Sequence, residues 1–301
     1  MNILIVGGTG FIGYHLAKTC LEKGWKVSSI SSKKPKKSRF LSQVKYMICD
    51  ISKEKKLKKK LKYHYDYVVN LGGYVDHINK EKTFNSHYKG CKNLAEIFLK
   101  KKIKMFIQMG SSGEYGRKKS PQSENYNGNP KAVYAKSKLR ATKYLLNLHK
   151  RRKFPVVVLR LYQAYGPHQD INRLIPIVID NCIKNKKFDC SDGMQFRDFV
   201  YIDDLILAIR KCILNRKKIL GNILNIGTGK PIKIKNIIEK ITNKLKGGYP
   251  QFGKIKLRSD EILKIYPDTR KTKKLIKWRA STSFESGLKK TIQFYSSVKN
   301  I

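Results

Sequence analysis

MNILIVGGTGFIG, residues 1–13, decides the fold. Ile3, Leu4, Ile5 and Val6 read as an apolar strand, Gly7, Gly10 and Gly13 follow at three-residue spacing, and residues 11–23 are amphipathic with a helical period. A strand, a glycine turn and a helix start, in that order, make a cradle for a dinucleotide pyrophosphate. Gly7 allows the tight turn and Gly10 lets the backbone approach the phosphates. Gly13 lets the helix pack on the sheet while its first N–H groups face the anion. Gly7, Gly10, Phe11, Ile12 and Gly13 are therefore candidate cofactor contacts.

Working outward, short β-branched runs recur at 25–30, 44–48, 65–71, 103–109 and 154–161, separated by helical patterns at 53–62, 80–101 and 131–150. That alternation is the rhythm of a parallel sheet with helices on both faces. The spacing predicts an α/β fold, a Rossmann-type doubly wound parallel sheet over residues 1–165. A smaller C-terminal α/β lobe over 166–301 is expected to bind mainly substrate and to share segments with the first part. In it, helices are predicted near 173–186, from Asp203, over 234–245 and over 284–297, with strands near 197–202 and at NILNIG.

The 301 residues are 41% hydrophobic, enough for a sizeable core. No run approaches the roughly 18 apolar residues of a membrane span, and no signal-peptide pattern is present, so a cytoplasmic location is expected. Six cysteines form no C-x-x-C pair and lie near no histidines at ligand spacing, so no metal site is expected. Lysine and arginine number 66 against 21 acids, a formal net charge of +45. These charges are spread over nearly every predicted helix and form no tail or arm, which fits solvated faces better than a specific nucleic-acid site.

Tyr134 and Lys138 stand four apart in VYAKSKLRAT and so share one helical face. An ammonium beside a phenol favours the phenolate, which makes the pair a proton donor and acceptor. Ser111 and Ser112 follow the strand at 103–109, where a hydroxyl partner belongs.

With these motifs in place the chain resembles the extended short-chain dehydrogenase/reductases, in the nucleotide-sugar epimerase, dehydratase and reductase group. GGTGFIG at 7–13, RLYQAYGP at 160–167, FRDFVYIDDL at 196–205, NIGTGKP at 225–231 and the D-x-x-K-x-x-x-L-x-x-W of Asp268 to Trp278 carry the likeness. The resemblance implies that Tyr134 is the acid or base on a sugar oxygen, that Lys138 assists it and holds the nicotinamide ribose, and that Ser111 hydrogen-bonds the same oxygen. It places Asp50 and Ile51 at the adenine, and Leu71, Gly72 and Gly73 under the cofactor. It puts Arg197 on the diphosphate of a nucleotide-diphosphate sugar, helped by Ser112, Gln163 and Arg173. It also implies a homodimer through helices at about 80–101 and 131–150.

Departures from the family pattern at 112–113 and at 173 narrow the activity, and a third, at His87, has no assigned effect on it. The Asp-Glu pair of the 4,6-dehydratases is replaced by Ser112-Gly113, although a one-residue gap would bring Glu114 to that place. Arg173 stands near where the epimerising reductases have a histidine, and His87 stands where the family's helical N-x-x-G has asparagine. At the end of the second strand, SSISSKKPKKSR (28–39) lacks the carboxylate that receives a ribose 2′-OH, whereas Ser31, Ser32 and Lys33 suit a 2′-phosphate, so NADP(H) is expected over NAD(H). The resulting expectation is reduction of a nucleotide-activated 4-keto, 6-deoxy sugar. A 4-epimerase is the alternative. A 4,6-dehydratase or a non-catalytic nucleic-acid-binding protein on the same scaffold ranks below both.

Overall fold

The computed structural model describes residues 1–74, 79–257 and 261–298. The strands are β1 (Asn2–Val6), β2 (Lys26–Ser31), β3 (Lys45–Ile48), β4 (Tyr67–Asn70), β5 (Met105–Ser111), β6 (Val156–Leu161), β7 (Gln163–Tyr165), β8 (Lys187–Asp189), β9 (Phe196–Arg197), β10 (Phe199–Tyr201), β11 (Ile223–Ile226), β12 (Ile232–Lys233), β13 (Tyr249–Gln251) and β14 (Lys264–Ile265). The helices are α1 (Phe11–Glu22), α2 (Glu54–Lys60), α3 (Lys80–Phe84), α4 (Gly90–Leu99), α5 (Val133–Arg152), α6 (Leu174–Ile183), α7 (Ile202–Leu214), α8 (Arg216–Ile219), α9 (Ile234–Leu245), α10 (Arg270–Ile276) and α11 (Phe284–Ser297).

Seven parallel strands form the central sheet in the order β11-β6-β5-β4-β1-β2-β3. The doubly wound α/β fold read from the sequence is the fold observed. Side chains alternate across β1: Ile3 and Ile5 join one core with Leu16, Ala17 and Cys20 of α1, while Leu4 and Val6 join the other with Leu57, Leu94, Phe98 and Leu145. Both faces are covered, so the inner strands are mainly apolar, and each fully buried Ile or Leu contributes about 1.5–3 kcal/mol. Chain direction out of the sheet reverses between β1 and β4, and the crevice at their carboxyl ends is where such a sheet binds ligands.

The seventh strand comes from the C-terminal stretch: β11 pairs with β6, with Ile223 opposite Val158. The predicted helix over 80–101 is interrupted at Asn85–Lys89 by a π turn, closed by the Gly90 N–H donating to the Asn85 carbonyl. The remaining strands form small sheets, β10 with β7, β9 between β12 and β14, and β13 with β8. The β10–β7 pair packs on α7, with β10 also on α11, and β12 packs on α9, which in turn packs on α6. Among the described residues, no helix is long and apolar enough to cross a membrane.

Candidate active site

The glycine turn has the geometry of a phosphate cradle. Gly7 has φ +80° and donates to the Ile30 carbonyl at 2.8 Å, a backbone conformation that L side chains rarely adopt. A Cβ on Gly13 would lie 2.4 Å from the Gly7 carbonyl oxygen, so any other residue would push α1 off the turn. Gly10 caps α1 without a side-chain cap, leaving first-turn N–H groups to serve an anion. Phe11 and Ile12 form that first turn and are half-buried. These residues fit a dinucleotide.

Around this turn, Ser31 at the end of β2 is buried, and its hydroxyl accepts from the Thr9 N–H at 3.4 Å. Ser32 and Lys33 follow it, exposed. Of the other basic groups in this loop, Arg39 and Lys36 both pair with Asp170, at 2.9 and 3.2 Å, and Arg39 also donates to the His168 carbonyl. Asp50 is exposed, and its carboxylate accepts from the Ser52 N–H at 2.8 Å. Ile51 is buried beside Gly72 and Gly90. The Leu71 N–H donates to the Val6 carbonyl at 2.9 Å, which brings the Leu71–Gly73 run to the glycine turn.

A buried polar chain supports this run. Asn70 accepts from the Gly72 N–H at 3.1 Å and donates to Gln108 at 2.8 Å, and Gln108 donates to the Met109 carbonyl at 3.0 Å. The same Met109 carbonyl accepts from Lys138 Nζ at 2.8 Å, so the ammonium is held at the end of β5, 5% exposed. Tyr134 lies one turn earlier on α5, half-buried, with its ring against that of His87 at 4.9 Å between centroids. Ser111 ends β5, and its hydroxyl accepts from the Gly113 N–H at 3.1 Å. Gly113 in turn lies against Ala135, next to the phenol. Ser112 is half-buried in the same turn.

Glu114 is the residue whose role the sequence left open. It is fully buried; one carboxylate oxygen accepts from the Ser111 N–H at 2.8 Å, the other from Thr142 Oγ1 at 2.8 Å and Arg160 Nε at 3.0 Å. Its carboxylate holds the serine turn in shape and has both oxygens engaged inside the protein.

On the C-terminal side, Gln163 and Arg173 line one cavity of about 200 Å³ together with Tyr165, Leu174 and Phe199. Arg197 precedes Asp198, whose carbonyl accepts from the Gln163 N–H at 2.9 Å; its guanidinium donates to the Phe196 carbonyl at 2.8 Å and pairs with Glu261, 12% exposed. Glu261 also lines a larger cavity of about 510 Å³ between α6, β8 and α9, walled by Leu174, Val178, Phe188 and Ile238. Next to Arg197, Asp198 is fully buried and accepts from Thr228 and Gly229, which staples the NIGTGKP loop to β9. Burial lifts its carboxyl to about 6 despite those bonds. No cluster of groups suited to a metal exists among the described residues. Sequence reasoning missed Asn70 and Gln108, whose signal was a polar residue in a mainly apolar strand, at the end of β4 and in the middle of β5. It also missed Glu261, which lies 64 residues from its partner and left no local signal.

Residues 3–227 match the model of the NAD dependent epimerase/dehydratase family. A putative UDP-glucose 4-epimerase of Methanocaldococcus jannaschii is 28% identical, the match covering 97% of each chain. The CDP-abequose synthase of Salmonella muenchen is 27% identical, again with 97% of each covered. The solved structure of UDP-glucuronic acid 4-epimerase from Bacillus cereus, in complex with UDP-glucuronic acid and NAD, superposes with a TM-score of 0.89 at 25% identity, over 99% of this chain and 100% of that one.

Proposed function

Because the chain belongs to the NAD dependent epimerase/dehydratase family, we propose that it reduces a nucleotide-activated 4-keto, 6-deoxy sugar, with NADPH as the preferred hydride donor. A bound nicotinamide supplies the hydride to the carbonyl carbon. Tyr134 gives its phenolic proton to the carbonyl oxygen, Ser111 hydrogen-bonds that oxygen, and Lys138 favours the phenolate that remains until solvent returns the proton. Gly7 to Gly13 hold the pyrophosphate, and Ser32 and Lys33 meet the 2′-phosphate. Arg197 exchanges the Glu261 carboxylate for the substrate diphosphate, and the adjoining cavity at Phe188 takes the base. A homodimer through the outward faces of α4 and α5 completes the proposal.

The observation that carries this reading is the engagement of Glu114. With both its oxygens bound, Glu114 is withdrawn from acid–base work, and the proposed proton transfer uses Ser111, Tyr134 and Lys138 among the described residues, which suits one proton moving with one hydride. Elimination of water needs a separate acid and base. The epimerases among the relatives favour a second reading, in which the same three residues oxidise and re-reduce C4 with retained cofactor. The test uses NADPH deuterated at the transferred position with a nucleotide 4-keto, 6-deoxy sugar. The proposal expects one NADPH consumed per sugar and deuterium at C4; no NADPH consumed with the 4-keto sugar, together with interconversion of a nucleotide 4-hydroxy sugar such as UDP-glucose and its C4 epimer without added cofactor, selects the epimerase.

A further inference from the structure

His87 occupies a position that neither the fold nor the proton transfer explains by itself. It sits on the π turn Asn85–Lys89, 5% exposed, and π turns inside helices gather at functional sites. Its imidazole is wedged between two parts of the candidate site. On one side Nε2 contacts the Tyr74 carbonyl at 3.1 Å, just beyond the Leu71–Gly73 run. On the other, the ring meets Tyr134 edge to face, 4.9 Å between centroids and 79° between planes. The fit against the loop is tight: a Cβ on Gly73 would lie 2.0 Å from the imidazole Cε1.

We propose that His87 is a positioning residue for Tyr134: its ring, fixed by the backbone of residues 73 and 74, holds the phenol in line for proton transfer. The contact is aromatic edge on aromatic face, an orientation-dependent interaction. The α5 backbone alone leaves the Tyr134 ring its side-chain rotations, and His87 removes that freedom from one side. The π turn is what carries the imidazole there, because a continuous α-helix would rotate residue 87 to a different azimuth. The same wedge explains the glycine at 73, since a side chain there would drive the imidazole into the phenol.

The proposal rests on Tyr134 being the acid–base group, so Tyr134→Phe is assayed alongside. His87→Ala should lower kcat about 10- to 100-fold, the scale of a displacement near 1 Å at a reacting group. Substrate KM, cofactor Kd and the melting temperature should stay close to those of the parent. His87→Phe, which keeps a ring against Tyr134, should recover most of the loss. Gly73→Ala should also lower kcat, by displacing the imidazole, and the double variant His87→Ala/Gly73→Ala should lose far less than the product of the two single losses. A fully active His87→Ala beside an inactive Tyr134→Phe overturns the positioning role alone. A fully active Tyr134→Phe overturns the acid–base reading instead. Equal losses in kcat, KM and melting temperature in His87→Ala, or multiplicative losses in the double variant, would show a residue that only supports the fold.

Discussion

Replacing Glu114 with glutamine separates a structural carboxylate from a catalytic one. Glu114 and Arg160 are 0% and 2% exposed at their side chains, joined at 3.0 Å, and Arg160 Nη1 has no hydrogen-bond partner among the described residues. The amide keeps an acceptor for the Ser111 N–H but turns its NH₂ toward Arg160 Nε, setting donor against donor and leaving a buried cation without a counterion. Breaking a buried pair from one side costs about 3–5 kcal/mol, which for a chain of this size lowers the melting temperature by roughly 5–8 °C. Urea unfolding followed by circular dichroism measures this, and the m-value should hold because the exposed surface is unchanged. Turnover per folded molecule should fall by no more than about tenfold, whereas loss of a general acid or base costs ~10²–10⁴. Replacing both partners with leucine should be less harmful than Glu114→Gln alone, because no orphaned charge remains. A stability change below about 1 kcal/mol together with loss of nearly all turnover would refute the reasoning and return Glu114 to the chemistry.

Lys33→Asp should weaken NADPH binding about tenfold or more while sparing NADH, read from the two dissociation constants by fluorescence titration; equal effects would remove Lys33 from 2′-phosphate recognition. Arg197→Ala should raise substrate KM by about 10- to 100-fold with little change in kcat, the signature of lost ground-state binding, and an unchanged KM would separate Arg197 from the diphosphate. Burial lowers the imidazoles of His15 and His168 from the usual 6.5 to about 4, with Lys18 and Arg39 adding to the effect. Between those limits the unfolded chain binds more protons than the native one, so stability is full above pH 6.5 and falls as pH drops through the window. His15→Gln, which retains a donor for the Pro167 carbonyl, should flatten the slope measured between pH 6.5 and 5, and an unaltered slope would contradict the assignment.

Much of the fold was legible because its signals are local. The runs at β1, β4, β5 and β6 are buried on both faces and therefore mainly apolar, with Asn70, Gln108 and Arg160 as the polar exceptions, and the glycine turn follows β1 directly. Tyr134 and Lys138 were legible because four residues make one helical turn. What escaped depends on contacts distant in sequence. Ser111, Ser112 and Glu114 lie within one tight turn, where a one-residue shift in alignment exchanges a catalytic position for a buried one, and only the bonds to Thr142 and Arg160 decide between them. The membership of β11 in the central sheet is a pairing with β6 across more than sixty residues. The pairing of Arg197 with Glu261 is of the same kind. His87 stood out as a departure from a motif, yet nothing in its neighbours reveals that its ring touches Tyr134.

The most direct test is a crystal structure of the protein with NADPH. The expected result is the pyrophosphate on the N–H groups that follow Gly10, with the nicotinamide C4 within about 4 Å of the Tyr134 hydroxyl, the separation that hydride and proton transfer to one carbonyl require. A dinucleotide bound elsewhere, or a phenol turned away from the nicotinamide, would contradict the proposed chemistry.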